Sequence, residues 1–327
     1  TDALKTHGEE QAMLRQILRT RLADIADICE RLIATPLSGS GLVVWHSLGG
    51  DVHYLNAAPL DVSRAIAAHI FSDMPVVLTS ATLQIGGSFE PIAHRVGLNF
   101  PDQGAWRGID VGTPFDHAQQ GILYVAAHLP EPGKEGYGEE HLREILELIE
   151  ASGGGALGLF TSRSAAERAA EYFRGHSELP VLCQGEDQLP TLISEFAADD
   201  RMSLFGTMAL WQGVDVPGRT LRLVIIDRIP FPRPNEPLTA ARSEAVRMRK
   251  GNPFMEVSAT QAALLLAQGA GRLLRSAHDR GVVAVLDSRL HTKRYASYLL
   301  ATLPQMWRTT NPRIVREALN RLNTMKD

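Results

Sequence analysis

Cysteine is nearly absent: Cys29 and Cys183 stand alone in 327 residues. By itself this chain therefore cannot build a disulfide framework, a four-cysteine zinc ribbon or a four-cysteine iron–sulfur site. Both cysteines read as small core residues. Long apolar runs are missing as well. No stretch approaches the 18 or so residues that would cross a bilayer, and no signal-peptide pattern opens the chain, so a cytoplasmic protein without membrane contact is expected. Positive charge is not in excess. The chain carries 33 Lys and Arg against 37 Asp and Glu, a formal net charge of -4, which excludes a globally basic nucleic-acid coat. Any nucleic-acid site must be a local groove of positive charge. There is no Gly-x-Ser-x-Gly elbow and no histidine pair at metal-binding spacing, so an α/β enzyme with a Ser or His nucleophile lacks sequence support. No internal repeat and no low-complexity tract appears. The chain opens on Thr1, inside a helical pattern, and reads as a piece of something longer.

What is present is ordinary globular composition, 44% hydrophobic and 21% charged, in a length that suits two modest domains. Residues 9–32 carry Leu, Ile and Ala at helical spacing with charges between, ending near Thr35-Pro36. Residues 41–45 and 52–55 read as a strand pair joined through Gly49-Gly50-Asp51. A short helix over 63–71 follows, then a buried strand over 75–79 and a helix over 89–96. Beyond Pro114 the pattern becomes regular. Strands over 121–126, 156–160, 181–183, 202–205, 221–226 and 282–286 alternate with helices over 139–150, 164–174, 189–197, 239–249 and 258–274. That alternation predicts a doubly wound, mostly parallel α/β sheet, with ligands at the carboxyl ends of its strands.

The most informative stretch is Gln268-Gly269-Ala270-Gly271-Arg272-Leu273-Leu274-Arg275-Ser276. On one continuous helix, Gln268, Arg272 and Arg275 would share a narrow face, opposite Ala259, Ala262, Ala263, Leu266, Ala270 and Leu273. Aligned guanidiniums suit phosphate oxygens, because Arg is planar, charged and bidentate.

Three further segments precede it: Thr79-Ser80-Ala81-Thr82-Leu83, Phe160-Thr161-Ser162-Arg163-Ser164, and Gly206-Thr207-Met208-Ala209-Leu210-Trp211-Gln212-Gly213-Val214-Asp215. In this order, and on these elements, the four resemble motifs III, IV, V and VI of a superfamily-two helicase. Their wording is similar to the DinG/YoaA branch of the XPD-like helicases. Ile226-Asp227-Arg228-Ile229-Pro230-Phe231-Pro232, and Asp287-Ser288-Arg289 followed by Tyr295, agree with it.

The resemblance implies RecA-like domains that cleave ATP between them and move along DNA. It casts Arg272 and Arg275 as arginine fingers and Gln268 as an organiser of the γ-phosphate or water. Gly213 and Asp215 fall beside the nucleotide, Asp215 accepting from the ribose or the fingers. Thr79, Ser80 and Thr82 would couple nucleotide state to DNA. Thr161, Ser162 and Arg163, at a predicted helix N-terminus, and Gln184 would hold the DNA backbone. Trp211 reads as loop support ahead of base stacking, and the arginines of 242–250 as a solvated face. On the residues alone, the blander readings stay open: paired surface arginines, a loop acceptor at Asp215, a plain turn at 79–82, and a helix cap with an exposed arginine at 161–163.

Such an enzyme needs Gly-x-x-x-x-Gly-Lys-[Ser/Thr] to cradle phosphates, and this sequence has none. Gly133-Lys134 is followed by Glu135, and a magnesium-holding Asp-Glu-Ala-His box is missing too. The resemblance therefore implies a C-terminal half. Residues 1–58 would be the end of a helical arch-like insertion and its return. Residues 59–113 would close the first RecA-like domain, and residues 114–327 would form the second. ATP and Mg2+ would be completed by an N-terminal half, any 4Fe-4S cluster would lie there, and no metal site is expected here. Expected partners are single-stranded or forked DNA and the chain's own N-terminal half, in a monomer. A non-catalytic nucleic-acid or protein-binding module on the same scaffold is the alternative.

Overall fold

The computed structural model describes residues 2–34, 41–72, 74–133, 138–207, 210 and 220–325. The helix Asp2–Ala34 comes first. Its described apolar residues, including Leu14, Leu18, Leu22 and Ile25, are exposed, and so is Cys29, which corrects the core reading of that thiol. Strands β1 (Leu42–Gly49) and β2 (Val52–Pro59) form an antiparallel hairpin. Gly50 takes φ +62° at the first position of its two-residue turn, a left-handed geometry that costs glycine little. The hairpin packs against the helix Pro237–Met248.

The predicted strand at 75–79 does not form. Val76, Val77 and Leu78 are exposed, and no neighbouring strand lies alongside them among the described residues. A strand is defined by its partner, so an apolar run without one stays outside the ladder. The helical segment at 63–71 does form, as Ser63–Ile66 continued by a π-helical turn Ala67–Phe71.

From residue 121 onward the alternation builds a single sheet. Its strands are β3 (Gly121–Val125), β4 (Ala156–Leu159), β5 (Val181–Cys183), β6 (Ser203–Gly206), β7 (Leu223–Ile226), β8 (Gly281–Val285) and β9 (Trp307–Thr309). Their order is β5-β6-β4-β7-β8-β3-β9, and every pairing is parallel. Edge strand β9 and the closing helix Pro312–Thr324 were not anticipated from sequence. The period of two along each strand sorts side chains to opposite faces. Leu157, Leu159, Val224, Ile226, Val283 and Val285 face one core with Leu192, Phe196 and Leu266. Phe160, Ile225, Ala284 and Tyr124 face the other with Ile145, Ala169 and Leu319. Burial on both faces is why these strands read as continuous apolar runs.

Two devices fasten the edge where the strands begin. Gly153, Gly154 and Gly155 all take positive φ between the helix Glu139–Ser152 and β4. A Cβ on Gly154 would run into the Arg201 carbonyl oxygen, so no other residue fits. Buried Arg222 donates to the carbonyls of Ser152, Gly153 and Asp200 at 3.2, 3.4 and 2.8 Å.

Candidate functional site

All seven strands run one way, so the chain leaves each of them at a common carboxyl edge and enters at the opposite one. Side chains lace that carboxyl edge between neighbouring strands. Just past β4, the Thr161 amide and hydroxyl donate to the Asp227 carboxylate at 3.0 and 3.1 Å. Asp227 lies just past the adjacent β7 and also accepts the Arg228 amide at 2.8 Å. It is 1% exposed. Burial pushes its carboxyl up to about 6, against the opposing pull of the nearby Arg228 guanidinium and the Thr161 donors.

Ser162 is the N-cap of the helix Arg163–Arg174. Its backbone is extended and its Oγ accepts from the Ala165 amide at 3.2 Å. Arg163 opens that helix, exposed, with Nε 2.8 Å from Glu167 Oε1. Past β5, Gln184 Oε1 accepts the amide and hydroxyl of Thr207, at 2.7 and 3.0 Å, from the end of β6. Arg163, Arg174, Gln184 and Gly185 line a cleft of about 200 Å³. Thr161, Ser162, Arg163 and Gln184 are thus brought along one edge. All four hold partners within the chain, Thr161 on Asp227, Ser162 on the Ala165 amide, Arg163 on Glu167 and Gln184 on Thr207. Nearby Cys183 is buried, and burial pushes its thiol up to about 11, which fits an inert core residue.

A third tie closes the row. Asp287, just past β8, accepts the Ile229 amide at 2.9 Å and the Arg289 guanidinium through Nε and Nη2 at 2.9 and 2.7 Å. That bidentate pairing holds Arg289 firmly charged. The Arg289 guanidinium lies 5.7 Å above the Phe231 ring. Phe231, Phe254 and Tyr295 pack on one another with centroids 5.0 to 5.6 Å apart.

The arginine segment departs from the sequence expectation in two ways. First, the helix is shorter. A π-helical turn, Phe254–Ala259, leads into the α-helix Thr260–Ala270, and the chain then turns at Gly271. Gln268 is on the helix, but Arg272 and Arg275 are in the turns that follow, so the three do not share a helical face. Beyond the Gly271 cap a side-chain acceptor organises the chain. The Asp279 carboxylate takes the amides of Arg275 and Ser276 at 2.6 and 2.8 Å and the Ser276 hydroxyl at 2.6 Å. Second, residues 271–280 feed the start of β8, so the arginines lie at the amino edge, opposite the carboxyl edge where ligands were expected. Arg272 and Arg275 are half-buried there. Gln268 Oε1 is buried with no hydrogen-bond partner among the described residues, a polar atom suited to a donor from outside this chain.

Thr79, Ser80 and Thr82 stand apart from the sheet. Ser80 Oγ lies 3.2 Å from Thr82 Oγ1 and accepts the Thr82 amide. The chain just beyond is anchored, with Ile85 in the sheet's core and the Gly86 amide donating to Thr302 Oγ1 at 3.3 Å. Gly213, Asp215 and Trp211 fall outside the described residues. In the 242–250 region, Arg247 pairs with Glu244 and Arg249 with Glu256 on the surface, as a solvated face requires.

Sequence reasoning assigned no role to Asp227, Asp279 or Gln120. Ser276-x-x-Asp279 carries a visible local signal, a hydroxyl and a carboxylate spaced to close a turn. Gln120 carries none, because its partners lie 156 to 159 residues away.

An all-parallel doubly wound sheet with an arginine turn at one edge and a laced row of hydroxyl, amide and guanidinium groups at the other is consistent with a RecA-like domain. A helicase C-terminal domain pattern matches residues 145–306. An ATP-dependent helicase DinG of Mycobacterium tuberculosis is 54% identical over 311 residues, covering 92% of this chain and 46% of the relative. An ATP-dependent DNA helicase YoaA of Escherichia coli is 38% identical, covering 90% of this chain and 44% of that protein. In fold, the chain is similar to an XPD helicase at TM-score 0.55 and 15% identity, over 78% of this chain and 46% of that one. The chain belongs to the DinG/YoaA helicase family, matching the C-terminal part of its members. It spans about half the length of the curated relatives it matches.

Proposed function

We propose that this chain is the C-terminal motor portion of an ATP-dependent 5′→3′ DNA helicase, working in repair or replication. The observation that supports the reading is the placement of the two groups of residues at opposite edges of the sheet. Arg272, Arg275 and Gln268 lie at the amino edge, where a nucleotide cradled by an N-terminal half would meet them. Thr161, Ser162, Arg163 and Gln184 lie at the carboxyl edge, where a backbone phosphate would meet a helix N-terminus.

The residues present fit such a nucleotide. Two guanidiniums can neutralise charge on a departing phosphoryl group, and the buried Gln268 Oε1, without a hydrogen-bond partner among the described residues, can accept from an attacking water. Phosphoryl transfer is catalysed mostly by positioning and charge stabilisation. The ATP phosphates and Mg2+ belong to the N-terminal half, which would supply the phosphate loop. Gly213 and Asp215 would close the cleft, and Thr79, Ser80 and Thr82 would relay its state to DNA. In this reading residues 1–58, 59–113 and 114–327 are the insertion's return, the end of the first motor domain and the second motor domain. The protein acts as a monomer on single-stranded or forked DNA in the cytoplasm.

The test is Arg272→Ala and Arg275→Ala in the full-length protein. Each should lower DNA-stimulated ATP turnover by roughly 10³-fold or more while the thermal unfolding profile is retained. Wild-type turnover in both would remove the arginines from the chemistry.

A further inference from the structure

The turn that carries Arg275 is held from two sides. From within, Asp279, itself 7% exposed, gathers the Arg275 amide, the Ser276 amide and the Ser276 hydroxyl onto one carboxylate. From outside, the buried Gln120 side chain lies across the same turn. Its Nε2 is 3.3, 2.8 and 3.1 Å from the carbonyl oxygens of Ser276, Ala277 and Asp279. Neighbouring backbone adds a stitch, with Arg280 Nη1 donating to the Gln119 carbonyl at 3.3 Å. The meeting follows from the sheet. Gln120 is the last residue before β3, Arg280 the last before β8, and these strands pair with Gly121 opposite Gly281. Two elements far apart in sequence therefore enter the sheet side by side, and one grips the other's approach.

A turn is a poor platform for a group that must meet a phosphate within a fraction of an ångström, because its own backbone bonds are few. Here the carboxylate fixes the turn's amides and the carboxamide fixes its carbonyls. Asp279 binds the residue that carries the guanidinium, and Gln120 binds the carbonyls of residues 276, 277 and 279 beyond it.

We infer that Gln120 and Asp279 are positioning residues for Arg275, a brace that sets the guanidinium at the nucleotide cleft. The inference rests on the reading of Arg275 as an arginine finger. Both side chains are buried against the turn, and their influence passes through it.

The test uses the full-length protein and four variants: Gln120→Glu, Asp279→Asn, Arg275→Ala, and Gln120→Glu combined with Arg275→Ala. Gln120→Glu keeps the shape but turns a carboxylate toward three carbonyl oxygens. A misplacement of about 1 Å costs roughly 10²-fold in rate, so kcat should fall by about that factor while KM for ATP stays within about twofold. Asp279→Asn keeps an oxygen for the two amides but loses the charge that strengthens those bonds and the acceptor of the Ser276 hydroxyl, so it should lower kcat in the same direction with the same split, by less than Gln120→Glu does. The combined variant should be no slower than Arg275→Ala alone, because a brace has nothing to position once its guanidinium is gone.

Wild-type kcat in both Gln120→Glu and Asp279→Asn, with Arg275→Ala inactive, would overturn the brace and leave the finger standing. A further loss on adding Gln120→Glu to Arg275→Ala would also overturn it, assigning Gln120 to general stability. Wild-type turnover by Arg275→Ala would defeat the finger reading first. If Gln120→Glu lacks a cooperative unfolding transition, Asp279→Asn and Gln120→Met, which loses the donor without adding charge, decide the same question.

Discussion

Replacing Asp227 with asparagine should stabilise the protein at alkaline pH and flatten its stability profile through the mildly acidic range. Asp227 accepts three hydrogen bonds, from the Thr161 amide, the Thr161 hydroxyl and the Arg228 amide. Those bonds favour the ionised form, yet burial outweighs them and pushes the carboxyl up to about 6 from an ordinary 3.8. A folded-state value above the unfolded one means that folding favours the proton. The associated stability is fully present below about pH 4 and is lost as pH rises through about 6. A shift of about two units corresponds to roughly 3 kcal/mol between the protonated and ionised limits. About 2 kcal/mol of that change falls between pH 4.5 and 8.

Asparagine keeps Oδ1 for the two amides and can donate from Nδ2 to the Thr161 hydroxyl, so it mimics the protonated acid. The assay is urea unfolding of both proteins at pH 4.5 and pH 8, read as the difference between them so that other titrating groups cancel. The gap should widen by about 2 kcal/mol in favour of asparagine at the higher pH. A gap that is constant with pH, or that widens in favour of aspartate, would refute the claim that desolvation dominates at Asp227. Asp227→Ala, by contrast, strands two part-buried amides and should cost about 3 kcal/mol at pH 4.5, a cost that shrinks by about 2 kcal/mol at pH 8, where the wild-type carboxyl is ionised.

Arg163→Ala should weaken single-stranded DNA binding and reduce the salt slope by about one. It should leave stability within about 0.5 kcal/mol, because the Arg163–Glu167 pair is exposed and local. Fluorescence anisotropy across a salt series reads the slope, and an unchanged slope would return Arg163 to a purely structural role. Arg222→Met should cost about 3 kcal/mol in chemical denaturation, because it leaves the Ser152, Gly153 and Asp200 carbonyls without their shared donor. A loss under about 1 kcal/mol would show that the starting edge of the sheet is held by its glycine turns alone.

Most of the sheet was legible because parallel strands buried on both faces announce themselves as short apolar runs between amphipathic helices. Strands β3 to β8 fall within a residue or two of the runs that predicted them. The run at 75–79 carried the same signal and failed, since apolar composition reports a wish for burial and not the presence of a neighbour. Strand β9 was invisible for the converse reason. Trp307-Arg308-Thr309 is short and polar, an edge strand identified only by its pairing with β3.

At the site, local chemistry was readable and long-range chemistry was not. Ser162 as a cap and Arg163 at a helix start follow from neighbours in sequence. The hold on Arg275 and Ser276 depends on Asp279, and the hold of Gln120 on the carbonyls of 276, 277 and 279 depends on which strands pair. Extending the helix through Arg275 placed three side chains on one face, where a turn in fact separates them. The edge assignment failed with it, because the direction of the return helix, and not the motif itself, decides at which end of the sheet the arginines emerge.

The measurement that bears most directly on the half-cleft account is ATP hydrolysis by this 327-residue chain, with and without single-stranded DNA, alone and then joined to an N-terminal half carrying the phosphate loop. The account predicts no turnover by the chain alone in either condition, and DNA-stimulated turnover on joining that is abolished by Arg275→Ala. Robust DNA-stimulated turnover by the isolated chain would mean that it holds a complete nucleotide site of its own, and the division of the cleft between two halves would be wrong.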